Sequence, residues 1–164
     1  MNQILINFSL EMFLSNLLIF KNMDNCIFCK IIKGEIPAFK IYEDNRIVAF
    51  LDINELTKGH TLIVPKKHKR WLWDHEDDEY LYLLKTTKKL VNIIRKHYKI
   101  EWVEMVVMGM GVPHTHIHII PRFENDGHGE IPTEKTRAHI YSKEELESIA
   151  KDLRSVIENQ IKDL

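Results

Sequence analysis

Hydrophobic and polar positions along the chain fall into segments of two different periods. Phe39 to Glu43 and Ile47 to Leu51 are short apolar, β-branched runs on either side of Asp44-Asn45-Arg46, and they predict two strands joined by a turn. Gly59 introduces a third strand, His60 to Val64, which stops at Pro65 because proline has no N–H to give to a ladder. From about Asp74 the period lengthens, with Leu81, Leu84, Thr87, Leu90, Val91 and Ile94 at helical spacing up to Tyr98. Acidic Asp74, Glu76, Asp77 and Asp78 at one end and Lys96 and His97 at the other complement the dipole of such a helix. Trp102 to Met108 then predicts a strand, Gly109-Met110-Gly111 a tight turn, and the segment after it a hairpin partner.

A polar loop follows from Glu124 to Thr136, after which Ser142 and Glu145 form a capping box for a last helix. Its apolar side, Leu146, Ile149, Leu153, Ile157 and Ile161, calls for burial on the core or on a second subunit. Strands first, a long helix between, then a hairpin and a closing helix predict an α+β domain with an antiparallel sheet of about five strands. A chain of 164 residues suits one such domain.

Residues 1–22 stand apart. Apolar Ile4, Leu5, Phe8 and Leu17 to Phe20 are interrupted by Asn7, Ser9, Glu11, Ser15 and Asn16, so no run reaches the length of a membrane span. No Lys or Arg precedes Lys21 and no small-residue cleavage site follows, which argues against a signal peptide. Met23-Asp24-Asn25-Cys26 reads like a natural start. Two readings stand: an upstream start codon wrongly assigned, or an amphipathic helix lying on a membrane or a partner.

The hairpin partner carries the chain's strongest chemical signal. His114-Thr115-His116-Ile117-His118-Ile119-Ile120 alternates with period two, and all three polar positions are imidazoles, although histidine fills only 9 of 164 positions. Along one face of a strand such rings stand about 7 Å apart, within reach of a shared phosphate or metal. Thr115, Ile117 and Ile119 would face the core. Lys and Arg number 23 against 24 Asp and Glu, so no polycationic face awaits a nucleic-acid backbone. The two cysteines, Cys26 and Cys29, make no disulfide scaffold and suggest a cytoplasmic chain; their spacing leaves a metal site, free thiols or a redox pair open. A thioredoxin-like pair needs a strand before the motif and a helix opening on it, and neither is evident, the pattern predicting only a turn there.

The chain resembles the histidine triad (HIT) family of nucleotide hydrolases and transferases. The resemblance rests on the triad, on Cys26-Ile27-Phe28-Cys29-Lys30-Ile31-Ile32 with Gly34-Glu35-Ile36-Pro37, and on Ala49-Phe50-Leu51-Asp52-Ile53. Lys58-Gly59-His60-Thr61-Leu62-Ile63-Val64-Pro65 with His68, and the closing Pro121-Arg122, complete it over about residues 24 to 123. It implies a HIT domain over 23–125, with 126–164 as a C-terminal loop and helix of the same domain or a dimer contact. By the same resemblance His116 is a nucleophile toward the α-phosphate of a purine nucleotide conjugate, His118 contacts the phosphate oxygens, and His60 is the family's fourth histidine. Asp52 would hold the ribose hydroxyls, and Ile27, Phe28, Ile31, Phe50 and Ile53 would hold the base. Read alone, each of these five apolar residues fits plain core equally well. Cys26, Cys29, His68 and His114 match the zinc-bearing branch, in which a Cys2His2 set leaves no open position and the metal is structural.

The expected activity is that of a nucleotide hydrolase or phosphoramidase acting through a nucleotidyl-histidine. A dinucleoside-polyphosphate hydrolase, a nucleotidyltransferase and a zinc-stabilised nucleotide-binding protein with little catalysis are the alternatives. A homodimer in the cytoplasm is implied, with no nucleic acid and no membrane unless residues 1–22 are genuine. One departure stands out: where many members carry Gly-Gln-Ser/Thr ahead of the triad, this chain has Met108-Gly109-Met110-Gly111-Val112-Pro113, with no hydroxyl or amide side chain. Backbone N–H groups of that turn could still hold phosphate oxygens, but the acid that protonates a leaving group has no candidate.

Overall fold

The computed structural model describes residues 25–136 and 139–161. The expectations for residues 1–22 lie outside these. Among the described residues the chain forms helix α1 (Ile27–Lys33), strands β1 (Lys40–Glu43), β2 (Ile47–Leu51) and β3 (Thr61–Pro65), helix α2 (Asp77–Tyr98), strands β4 (Val103–Val107) and β5 (Ile117–Pro121), and helix α3 (Lys143–Gln160). The strands make one antiparallel sheet in the order β1-β2-β3-β5-β4. This is the expected α+β architecture.

Alternation along the strands gives the sheet two differently used faces. Ile41, Ile47, Ala49, Leu51, Ile63, Ile117 and Ile119 point to one side, where they meet Leu83, Leu90 and Ile94 of α2 and Leu146, Ala150, Leu153 and Ile157 of α3. Ile117 and Ile119 are fully buried there, each contributing about 1.5–3 kcal/mol of apolar burial. The apolar stripe of α3 is thus spent on its own core, against β1, β2 and α2. The helix starts where the capping box places it: the Glu145 N–H donates to Ser142 Oγ, and the Ser142 N–H donates to the Glu145 carboxylate. The opposite face carries Val48, Phe50, Leu62 and Val64 under α1, which contributes Phe28, Cys29 and Ile31.

Three local expectations change. The cysteine motif opens a helix, with Cys26 as N-cap and Gly34 in the left-handed conformation as C-cap, where the pattern predicted only a turn. Helix α2 begins at Asp77, preceded by a short 3-10 turn over Leu72–Asp74. The histidine row is not one uniform strand: only His118 lies within the paired segment, opposite Leu62 of β3 and Val106 of β4. His114 and His116 occupy its lead-in, because the donors that would extend the ladder are spent elsewhere. The Thr115 N–H donates to the Lys69 carbonyl at 2.7 Å and the His114 N–H to Val112 at 2.8 Å. Thr115 is buried as expected, but its hydroxyl also donates to Lys69 at 3.0 Å and lies 3.1 Å from His75 Nε2.

Candidate active site and metal centre

Backbone contacts on each ring assign the protonation of the histidines. The Leu56 N–H donates to His60 Nδ1 at 3.2 Å, so that nitrogen holds a lone pair and the hydrogen of the neutral ring sits on Nε2. His60 Nε2 faces His118 Nδ1 at 3.0 Å and donates to it, which leaves the hydrogen of His118 on its own Nε2. Among the described residues that Nε2 is buried without a partner. His116 Nδ1 donates to the His114 carbonyl at 2.7 Å, so its Nε2 carries the free lone pair. His60, His116 and His118 are all buried, and burial lowers each imidazole below its ordinary range, keeping the rings neutral. A ring nitrogen with a free lone pair and a buried N–H donor therefore belong to neighbouring rings whose centroids are 5.0 Å apart.

Asp52 ends the segment leaving β2, and its carboxylate lies 3.9 Å from both His60 Nε2 and His118 Nδ1. The loop from Asp52 to His60 is closed by the Asp52 N–H on the His60 carbonyl and the His60 N–H on Thr57. Gly59 takes a φ of 80°, and a Cβ there would strike the Tyr98 ring, 2.8 Å away. The fourth histidine is thus placed just before β3 by a turn that needs glycine.

A cavity of about 740 Å³ opens in front of these rings, with His116 and His118 in its wall. Asp52, Ile27, Phe28, Ile31, Phe50 and Ile53 all line it. Burial separates two kinds among them: Ile53 is 69% and Ile27 43% exposed, so neither is plain core, while Phe28, Ile31 and Phe50 serve both the core and the cavity. Phe28 meets the His116 ring edge-on at 4.9 Å. The remaining wall is Trp71 with Val107 to Val112. Among the described lining residues there is no lysine or arginine.

Cys26, Cys29, His68 and His114 come together at the base of the triad, with one ligand atom from each inside a 4.8 Å span. His114 Nδ1 lies 3.4 Å from Cys26 Sγ and 3.6 Å from Cys29 Sγ, and His68 Nδ1 lies 3.2 Å from Cys29 Sγ. A tetrahedral ion with bonds of about 2.3 Å to sulfur and about 2.0 Å to nitrogen has sulfur–nitrogen edges of about 3.5 Å. The three sulfur–nitrogen separations fit such an ion, and the four residues could hold one. His114 Nε2 donates to the Pro65 carbonyl at 2.9 Å, which turns the Nδ1 lone pair to the sulfurs.

A family model for the HIT domain matches residues 33–125. The chain belongs to the HIT family. It is 51% identical over 106 residues to an uncharacterized HIT-like protein of Methanocaldococcus jannaschii, a match covering 62% of this chain and 82% of that one. It is 37% identical over 99 residues to an adenosine 5'-monophosphoramidase of Schizosaccharomyces pombe, covering 60% and 74%. Among solved structures, a hypothetical histidine triad nucleotide-binding protein of Sulfolobus tokodaii superposes with a TM-score of 0.72 at 31% identity, over 85% of this chain and 96% of that one.

Within this HIT domain several residues near the site had no role assigned from the sequence. Trp71 follows His68 by three positions in a segment without periodicity, yet its ring packs so closely on Gly109 that a Cβ there would sit 2.7 Å away. Arg122 closes the family motif and organises the loop after β5, gripping Asp126 at 2.7 and 3.1 Å and the His128 and Gly129 carbonyls at 3.2 and 2.9 Å, with Glu104 on its other side. His128 in turn donates from Nε2 to the Leu56 carbonyl at 2.9 Å. Glu55, a charged loop residue in the sequence, is buried.

Proposed function

We propose that the protein is a nucleotide hydrolase that cleaves a phosphoramidate at the α-phosphate of a purine nucleotide through a covalent adduct on His116. The observation that carries this is the assigned pair of ring nitrogens, a lone pair at His116 Nε2 and an N–H at His118 Nε2, on two neighbouring rings that line a cavity large enough for a nucleotide. His116 attacks phosphorus as the P–N bond to the amine breaks, and His118 donates to a phosphoryl oxygen as negative charge gathers there. Water then attacks the same phosphorus and releases the histidine. In the sum, the hydroxyl of water ends on phosphorus and its hydrogen on the departing amine. Asp52 holds the ribose hydroxyls, and Phe28, Ile31, Phe50, Ile27 and Ile53 sandwich the base.

The charge of the cavity separates the readings within the family. A dinucleoside polyphosphate would bring several negative charges past His116, and the wall there is Trp71, Met108, Met110 and Val112 without a cation. An uncharged, apolar amine suits that wall better. The absence of a hydroxyl or amide side chain in Met108 to Pro113 favours a second reading, a nucleotide-binding protein with little turnover.

In this reading the metal is zinc and structural. It ties the start of α1 to the lead-in of β5 and leaves no position for a substrate water. The protein acts as a cytoplasmic homodimer, for which the edge strand β4 with Met105 and the adjoining Trp102, both exposed, offers a pairing surface. Sedimentation and cell fractionation test these two points.

The deciding experiment incubates the protein with a labelled adenosine phosphoramidate, quenches it in base, and maps the nucleotidyl adduct by mass spectrometry. An adduct on His116 supports the proposal; turnover of the His116→Ala variant at the wild-type rate overturns it. Micromolar nucleotide binding without turnover of phosphoramidate or phosphoanhydride establishes the binding-protein reading instead.

A further inference from the structure

Glu55 sits in the loop that carries Asp52 and His60, and the chemistry above does not use it. It is 2% exposed, and among the described residues neither carboxyl oxygen has a well-formed hydrogen bond, the Gly59 N–H being the backbone donor beside it. The Tyr98 hydroxyl at the end of α2, which feels the charge of Glu55, is likewise buried and unpartnered. The Tyr98 ring abuts Gly59, the residue before His60. Glu55 is thus packed into the interior of the turn that presents the fourth histidine.

Its neighbour in sequence, Leu56, is held from both sides. The Leu56 N–H goes to His60 Nδ1, and its carbonyl accepts from His128 Nε2. The next residue, Thr57, is pinned by its hydroxyl on the Pro121 carbonyl at 2.6 Å. The Leu56 peptide is therefore the point through which a change at Glu55 reaches the histidines.

We propose that Glu55 is a positioning residue: as a neutral acid packed beside Tyr98 it holds the Leu56 N–H on His60 Nδ1, and its ionisation withdraws that N–H and scrambles the hydrogen shared by His60 and His118. Burial is the largest influence on its carboxyl and favours the neutral form, while the charges near it act in both directions. Asp52 on its own loop opposes a second negative charge, and Tyr98 from α2 and Tyr141 ahead of α3 are phenols that give it no cation. Behind them stand Asp152 and Glu145 of α3, also negative. Lys58, whose ammonium lies 5.6 Å from the Tyr98 ring centre, and the Gly59 N–H favour the charged form but are outweighed by burial. Burial pushes the Glu55 carboxyl up to about 8. Once ionised, a buried carboxylate with only the Gly59 N–H beside it must seek water, and the loop must turn to let it out.

The test reads ring tautomers in the zinc-loaded, full-length protein, with the ring nitrogens of His60 and His118 and the carboxyl carbon of Glu55 followed by NMR between about pH 6 and pH 9. The expected result is a loss of the fixed His60 tautomer with the same midpoint as the Glu55 carboxyl, and its persistence across the range in Glu55→Gln, which keeps the shape and cannot ionise. With adenosine phosphoramidate as substrate, wild-type kcat falls by more than half over the same interval while Glu55→Gln holds its plateau. The same alkaline change in Glu55→Gln, or no change in the wild type, overturns the proposal. If the variant fails to fold, separate midpoints for Glu55 and His60 in the wild type overturn it as well. The NMR readout needs no substrate, so its outcome is independent of whether the protein is a phosphoramidase.

Discussion

His60 Nε2 lies 3.0 Å from His118 Nδ1, and the Leu56 N–H on the far side of the His60 ring decides which of the two carries the shared hydrogen. The tautomer of one ring is thereby set by a peptide group two hydrogen bonds away. This gives the fourth histidine a physical task that neither its exposure nor its charge would suggest.

Removal of that task has a measurable cost. In His60→Ala the His118 ring is free to take either tautomer, and the N–H aimed at the phosphate is no longer fixed. The expected loss is about 10²-fold in kcat on an adenosine phosphoramidate, with KM little changed, because the contact tightens as charge builds in the transition state. Steady-state kinetics on a variant shown to be folded by circular dichroism check this. An unchanged kcat would mean that His118 needs no partner.

The cysteine–histidine tetrad predicts one zinc ion per chain. Elemental analysis should find it in protein purified without added metal, and Cys29→Ser should lower zinc content to background. Cys29 Sγ lies within 3.6 Å of a ring nitrogen of both His68 and His114, so its loss opens two sides of the site. Chelation of the wild type should lower Tm by more than it lowers that of the variant. Full zinc occupancy in Cys29→Ser would refute the assignment.

Much of this arrangement was legible in the chain. Period-two alternation marked the strands, and the resemblance named the residues that line the cavity and those that cluster near His114. What stayed hidden was decided by contacts distant in sequence. Helix α1 escaped notice because seven residues opening on Cys26, without a side-chain cap, carry too little periodicity. The departure of His114 and His116 from the ladder depends on the Lys69 carbonyl, an acceptor from another loop. Glu55 carried no signal in the sequence, because burial of an acid is a property of what packs over it.

Trp71 should govern which amine is accepted. With its ring against Gly109 it forms an apolar wall beyond His116, and an aromatic leaving group would lie on it. Trp71→Ala is expected to reduce kcat/KM about tenfold for an adenosine phosphoramidate of an aromatic amine, in line with about 1.4 kcal/mol of lost apolar contact, and to leave the unsubstituted phosphoramidate within about twofold. Equal losses on both substrates would place the ring's role elsewhere.

Arg122 is a stability residue. Its guanidinium joins Asp126, Glu104 and the carbonyls that shape the loop after β5, and it holds the Asp126 carboxyl down at about 2. Arg122→Ala leaves two carboxylates and several carbonyls without their partner in a half-buried place, at an expected cost of about 1–2 kcal/mol. Urea unfolding measures it. Because His128 depends on this loop to reach the Leu56 carbonyl, a fall in kcat should accompany the loss of stability.

Glu55 also predicts the sign of a pH effect on stability. Its folded-state value, about 8, lies above the ordinary 4.5, so the folded state binds the proton more tightly than the unfolded chain does. The contribution is fully present below pH 4.5, declines as the unfolded chain ionises, and is gone once pH passes through about 8. At neutral pH the wild type has already lost about 3 kcal/mol relative to acid, at roughly 1.4 kcal/mol per unit. Glu55→Gln removes this slope, so its advantage over the wild type should be small near pH 5 and grow to several degrees in Tm by about pH 8. Parallel Tm curves for the two proteins across that range would show that Glu55 is ionised in the folded state, and that the carboxyl finds water where the packing leaves it none.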